Sequence, residues 1–209
     1  FGPGIAVGDI NNDGLDDCYL GAAAGHKGQL FIQQESGEFT VLSGPWEDDK
    51  SSEDMDAVFF DANGDGALDL YVVSGGNEFE KESPFLQDRL YINKNGKFHK
   101  ADEALPQIQS SGSCVITLDY DGDGDNDLFV GGRLVPAQYP LPARSYLLEN
   151  VSENGRTQFI DVTKQKASAL VEPGMVTSAV ATDFNADGNE DLVIVGEWMP
   201  VSFFENRAG

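Results

Sequence analysis

Five aspartates stand within the nine residues DYDGDGDND at 119–127. Carboxylates held a few ångströms apart repel one another, and raised pKa values relieve that only partly unless a cation sits among them. The same grammar recurs as DINNDGLDD from Asp9, DANGDGALD from Asp61 and DFNADGNED from Asp183, at spacings of 52, 58 and 64 residues. In every copy, oxygen-bearing side chains fall at positions 1, 3, 5 and 9, and glycine falls at position 6. Alternate side chains then converge on one point, and glycine permits the sharp turn between them.

This pattern predicts divalent-cation binding. The expected side-chain ligands are Asp9, Asn11, Asp13 and Asp17 in loop 1 and Asp61, Asn63, Asp65 and Asp69 in loop 2. Loop 3 offers Asp119, Asp121, Asp123 and Asp127, and loop 4 offers Asp183, Asn185, Asp187 and Asp191. The position-7 carbonyls of Leu15, Ala67, Asp125 and Asn189 add one more oxygen each. With no His or Cys in the frame, zinc and copper are disfavoured, and five or more flexible oxygens suit Ca²⁺ better than Mg²⁺. Up to four Ca²⁺ are therefore expected, which would take the formal charge from -23 to -15. An EF-hand would need glutamate at position 12, where Leu20, Val72, Val130 and Ile194 stand instead. Asx turns without metal are the simpler alternative, but they leave 13 carboxylates at ligand positions unexplained.

The loops need elements to hold them. Each is preceded by a short apolar run (IAVG, AVFF, VITL, AVAT) and followed by another (CYLGAA, LYVVSGG, LFVGG, LVIVGE), rich in residues that suit strands. A third run follows in each copy, ending at Gln33, Asn93, Asn150 and Asn206, and three copies continue into a fourth strand around Phe39, Phe98 and Phe159. Asn95-Gly96 is the strongest hairpin signal. The expected fold class is all-β: a β-propeller of four-stranded antiparallel blades with calcium loops between the first and second strands. The repeats run approximately 1–52, 53–111, 112–174 and 175–209, the last incomplete, within a single propeller region 1–209. A segment of a larger propeller is favoured over a closed four-bladed disc, because intact propellers avoid unpaired blade edges. Helix is expected only as short turns in ADEALPQIQ and KQKASAL.

Composition narrows the function. With 36 acidic against 13 basic residues, nucleic acid and anionic membrane are excluded as main partners by repulsion. No apolar run reaches the 18 to 20 residues of a membrane span, and the N-terminal residues show no export signal. Cys18 and Cys114 are expected to be free thiols, and His26 and His99 ordinary surface residues.

The loops and the opening FGPGIAVGD, in which Phe1-Gly2 precedes G-x-x-x-G-D, resemble the FG-GAP or VCBS repeat family, the calcium-loop propellers that include the integrin α-chain head. The segments GGRLVPAQYPLPARSYLLEN (131–150) and GMVTSAVATDFNADGNEDLVIVGEWMP (174–200) resemble the propeller of bacterial proteins that carry an ASPIC/UnbV domain, a group similar to cartilage acidic protein. The resemblance implies a seven-bladed propeller with a binding or adhesive role at the cell surface or beyond it. Four loops are present here, and nothing resembles the inserted domain through which integrins bind ligand.

With strands of alternating direction, all calcium loops emerge on one face and the connections between second and third strands on the other. Those connections vary in length (22–28, 74–88, 131–145, 196–200) and are the expected recognition surface. Arg133, Tyr139, Arg144 and Trp198 are the candidate partner contacts, since arginine and large aromatics dominate interface energy. The plainer expectation is that both arginines pair with carboxylates and Trp198 packs between blades. Trp46, in GPWEDDK, is a further candidate for this face.

The function expected from all this is a calcium-stabilised scaffold for protein binding or adhesion, extracellular, at the cell surface or periplasmic, since such loops often bind at about 10⁻⁴ to 10⁻³ M and would be empty in cytosol. The partner is a protein or a glycan, together with other blades or domains of a longer parent chain. A lectin is one alternative, and a polysaccharide lyase or hydrolase on a propeller scaffold is another. No G-x-S-x-G, H-E-x-x-H or phosphate-cradling glycine loop supports the enzyme.

Overall fold

The computed structural model describes residues 3–207, so Phe1-Gly2 of the opening motif lies outside the described residues. Strands β1 (Ile5–Gly8), β2 (Asp17–Leu20), β3 (Gln29–Gln33) and β4 (Phe39–Leu42) form the first antiparallel sheet in sequence order. The second holds β5 (Glu53–Phe60), β6 (Asp69–Gly75), β7 (Arg89–Lys94) and β8 (Lys97–Lys100). The third holds β9 (Ser111–Leu118), β10 (Asp127–Leu134), β11 (Tyr146–Asn150) and β12 (Phe159–Asp161). The fourth has three strands, β13 (Met175–Thr182), β14 (Asp191–Glu197) and β15 (Ser202–Phe204). An α-helical turn, α1 (Thr163–Lys166), and a 3-10 turn at Ser168–Leu170 cover KQKASAL, ADEALPQIQ forms turns only, and 3-10 turns at Pro45–Glu47 and Pro84–Leu86 lie outside both expected stretches, each started by its proline. At the β7–β8 hairpin Asn95 and Gly96 both take positive φ, 55° and 78°, as the Asn-Gly signal requires.

Consecutive sheets stack through their faces, with the first strands β1, β5, β9 and β13 adjacent along one side. Alternation along the strands supplies both faces of each inner sheet. In β6, Leu70 and Val72 pack toward sheet 1 with Tyr19, Leu30 and Ala57, while Tyr71 and Val73 pack toward sheet 3 with Val115, Leu128 and Leu148. A third core joins Phe129 and Leu147 of sheet 3 to Val176, Leu192 and Ile194 of sheet 4. This is why β6 is buried along its whole length. Trp46, expected on the recognition face, is instead enclosed between sheets 1 and 2, where Tyr19, Tyr91 and Phe98 meet its ring edge to face at 5.4 to 5.9 Å. A large rigid aromatic fills a wedge-shaped gap better than solvent can.

The outward faces of the end sheets are apolar and open. Ile5, Val7, Phe39 and Val41 are exposed on sheet 1, and Val180, Val195 and Phe203 on sheet 4. The two faces do not cover each other, so the four sheets form an open arc of propeller blades, and the closed four-bladed disc is not what forms.

Polar groups also knit the blades. Asp54 and Arg89 are each only 4% exposed, and the guanidinium donates to Asp54 at 2.8 Å, where Tyr19 O–H (3.0 Å) and Ala22 N–H (2.9 Å) also donate. Asp88 accepts Tyr71 O–H and Ser74 N–H, both at 2.7 Å, and burial pushes its carboxyl up to about 7. A carboxyl that holds its proton more tightly when folded adds stability at pH below its unfolded value of 3.8, and loses that contribution as pH rises through 7. Asp88→Asn, which keeps the shape and removes the titration, should therefore flatten the fall in urea midpoint between about pH 4 and 7. A wild-type slope in that variant would show that Asp88 does not carry it.

Candidate metal centres and the opposite face

All four acidic loops connect the first two strands of their sheets and so lie on one face. Position 6 explains its glycine by backbone alone: Gly14, Gly66, Gly124 and Gly188 have φ of 85°, 84°, 94° and 93°, with open space where a Cβ would project. The position-1 carboxylate draws the turn together by accepting the N–H of position 6, from Gly14 to Asp9 (2.8 Å), Gly66 to Asp61 (2.8 Å), Gly124 to Asp119 (3.1 Å) and Gly188 to Asp183 (2.9 Å). Position 3 accepts from position 5, as Asn11 Oδ1 does from Asp13 N–H at 2.9 Å, and position 5 accepts from position 7, as Asp13 does from Leu15 N–H at 2.9 Å. The side chains of positions 1, 3 and 5 are thereby each held against backbone N–H groups of their own loop.

Position 9 behaves differently. Asp17, Asp69, Asp127 and Asp191 are buried, and each carboxylate is held by two backbone N–H groups. One belongs to position 2 of the same loop: Ile10 (3.2 Å), Ala62 (3.0 Å), Tyr120 (3.1 Å) or Phe184 (3.1 Å). The other closes the third strand: Gln33 (2.9 Å), Asn93 (2.7 Å), Asn150 (2.8 Å) or Asn206 (2.7 Å). Each oxygen keeps a further lone pair, so a position-9 aspartate can be a loop anchor and a ligand at once.

Loop 3 gathers the most charge. Oxygens of Asp119, Asp121 and Asp127 lie within 4.8 Å of one another. Ligands 2.3–2.6 Å from one Ca²⁺ are separated by at most about 5 Å, so this spacing fits that ion. The position-5 aspartate Asp123 stays outside this group, and among the described residues the three aspartates of loops 1, 2 and 4, at positions 1, 5 and 9, assemble no equivalent one. Asp125 at position 7 was expected to offer its carbonyl; its side chain, too, comes into the loop, where Oδ1 is buried without a hydrogen-bond partner. Burial and the neighbouring Asp123, Asp121 and Asp119 push the Asp125 carboxyl up to about 6, and burial pushes Asp127 up to about 7. An oxygen without a hydrogen-bond donor among crowded carboxylates is a suitable donor for a hard cation. The donor set fits calcium.

The opposite face carries the four candidate contacts. Arg133 pairs with Glu197 at 2.7 Å, joining blades 3 and 4, and Arg144 pairs with Asp161 while its guanidinium lies 4.9 Å from the Tyr146 ring centroid. The arginines thus meet the plainer expectation of pairing with carboxylates. Trp198 does not pack between blades: it is 84% exposed, at φ 57°, and its indole N–H donates to Tyr139 Oη at 2.8 Å. The tip of the 131–145 connection reaches blade 2 as well, where Ala137 N–H donates to Asn77 at 2.8 Å. A cleft of about 410 Å³ beside Leu141 is lined by Gln109, Val135, Arg144 and Tyr146 among others. Cys18 and Cys114 are free, as expected. Among the described residues no helix is long and apolar enough to cross a membrane.

Two features escaped sequence reasoning. The Asp54–Arg89 pair has no spacing signature, since its members lie on strands from different sections of repeat 2. The third-strand asparagines were visible as a recurring terminal residue, and their recurrence was the available signal.

Residues 4–72 match the FG-GAP-like repeat. Over the whole of its length the chain is 27% identical to human (Homo sapiens) cartilage acidic protein 1 and 26% identical to the mouse (Mus musculus) protein of that name. It spans 30% and 31% of those relatives.

The loop geometry separates two kinds of aspartate by experiment. Asp127→Ala strips acceptors from two buried N–H groups and should cost about 2–6 kcal/mol even without calcium, at roughly 1–3 kcal/mol for each, and more when calcium is present. Asp123→Ala should lower stability chiefly when calcium is present. Denaturation of both variants with calcium and with chelator checks this; a calcium-independent loss in Asp123→Ala would remove it from the ligand set.

Proposed function

Because the chain carries an FG-GAP-like repeat and resembles cartilage acidic protein 1 along its whole length, we propose that it is a calcium-stabilised propeller segment that holds a protein-binding surface outside the cell, at its surface or in a periplasm. The observation that carries the calcium reading is the convergence of Asp119, Asp121 and Asp127, with Asp125 Oδ1 orphaned beside them. In each loop positions 1, 3, 5 and 9 would hold the ion, which supplies positive charge where carboxylates are most crowded. The role of the loops is structural. The first and second strands of every blade meet at such a loop, so fixing it fixes the strand pair that packs on the neighbouring blade.

Exported placement follows from that role, because weak oxygen loops fill only where calcium is abundant. The scaffold reading rests on the other face, where Trp198 and Tyr139 stand exposed at the tips of two blades. A tryptophan held in solvent by a left-handed backbone and a cross-blade hydrogen bond is placed for contact. Two adjoining exposed rings would also suit a sugar, and that is the observation favouring a lectin as the second reading.

Two measurements test the proposal. At free calcium 100 times the dissociation constant each loop adds about 2.7 kcal/mol, so a chelator should lower the melting temperature by many degrees and calcium should restore it. An unchanged melting curve would refute the calcium reading. Trp198→Ala should fold with the wild-type melting temperature; glycan-array binding by the wild-type chain that this variant abolishes would favour the lectin over the protein scaffold.

A further inference from the structure

The third-strand asparagines do more than close a strand. Asn93 Nδ2 donates to Leu68 O, position 8 of its own loop, at 3.1 Å, and across the blade boundary to Ile10 O, position 2 of loop 1, at 2.9 Å. Asn150 does the same to Asn126 O and to Ala62 O, both at 3.2 Å. Asn206 repeats it with Glu190 O at 3.2 Å and Tyr120 O at 2.6 Å. Ile10, Ala62 and Tyr120 therefore each have their N–H held by the aspartate of their own loop and their carbonyl held by the asparagine of the next blade. Each asparagine in turn gives its own N–H to the next aspartate. One belt runs unbroken through Asp17, Ile10, Asn93, Asp69, Ala62, Asn150, Asp127, Tyr120, Asn206 and Asp191.

We infer that Asn93, Asn150 and Asn206 are positioning residues that couple calcium uptake between adjacent loops. The inference rests on the calcium reading of the loops. Position 9 is both a belt member and a ligand, so ordering its carboxylate for an ion orders the two N–H groups it accepts, and through the asparagine amide orders the neighbouring position 2. A loop beside a filled one then has less freedom left to lose, which is positive coupling without any change of fold. The geometry is a contiguous chain of buried partners rather than mere proximity: Asn93, Ala62, Asp69 and Asp127 are all nearly or wholly enclosed. Loops 1 and 2 give the cleanest case. Loops 2 and 3 are also joined by Ser152 Oγ–H to Ala62 O (3.1 Å), and loops 3 and 4 by Asp119 N–H to Glu190 (2.9 Å).

One glycine at position 6 of each loop lets the loops be read separately, by following the amides of Gly14, Gly66, Gly124 and Gly188 in a ¹⁵N-labelled, demetallated chain titrated with CaCl₂. Asp13→Ala disables loop 1 and should weaken the Gly66 midpoint by about 5- to 150-fold, the ordinary span of coupling between sites. In an Asn93→Ala background the same substitution should leave that midpoint unchanged. Should Asn93→Ala not fold, the half-buried Asn206→Ala with Asp187→Ala, read at Gly124, should show the coupling reduced. A Gly66 midpoint indifferent to Asp13, or dependent on it equally with and without Asn93, overturns the relay while leaving calcium binding intact. If none of the four amides responds to calcium in the wild-type chain, the calcium reading falls and the relay with it.

Discussion

A buried aspartate accepting two backbone N–H groups is the interaction on which this architecture turns. At Asp17, Asp69, Asp127 and Asp191 the carboxylate joins the start of the acidic loop to the end of the third strand. Both donors sit at places where the sheet ladder cannot satisfy them, and a buried N–H without an acceptor is costly. The aspartate therefore solves a hydrogen-bonding problem created by the turn, and it does so with a charge. That charge is where burial bites: Asp69 and Asp127 are both pushed up to about 7. The loops thus trade one unfavourable group for another unless an opposite charge arrives, and the surrounding positions are filled with oxygens that could hold one.

The apolar side of the fold follows a different logic. Every inner strand must be hydrophobic on both faces, because each sheet is a partition between two cores. Leu70 and Val72 face one way and Tyr71 and Val73 the other, so a one-residue slip of β6 would exchange the two cores wholesale. Register is therefore fixed twice, by packing on both sides and by the carboxylate that clamps Asp69 to Asn93. The end sheets have one such core each, and the same alternation leaves Ile5, Val7, Val180 and Phe203 facing outward.

The blades and the loops were legible in the sequence because both depend on short-range patterns. Strand alternation, the Asn95-Gly96 turn and the position-6 glycines are each decided within a few residues, and the structure has them where those patterns put them. What the sequence did not reveal depends on the angle between blades. Trp46 was a candidate for the recognition face because it lies in a connection between blades, yet the wedge between sheets 1 and 2 takes in its ring. Trp198 was expected to pack between blades and instead projects, because the short 196–200 connection turns through a positive φ that aims the side chain outward. Asn93, Asn150 and Asn206 carried a visible signal, but their second partner lies on the preceding blade, 83 to 88 residues away, and no local pattern reports it.

The two faces of the arc thus divide the work by length as well as by chemistry. Loops on the acidic face are identical in size because in each the position-9 aspartate must accept the N–H of position 2; inserting a residue would pull position 2 out of reach of position 9. Connections on the opposite face answer to no such repeat. They are free to lengthen, and where they do, they brace one another from blade to blade through Asn77 with Ala137 and Tyr139 with Trp198, beside the Arg133–Glu197 pair that ties the ends of β10 and β14. A surface made of loops that support each other can differ in shape without losing rigidity, which is the combination that recognition requires. The regular face supplies the stiffness, and the irregular face is where a partner would find something particular to this chain.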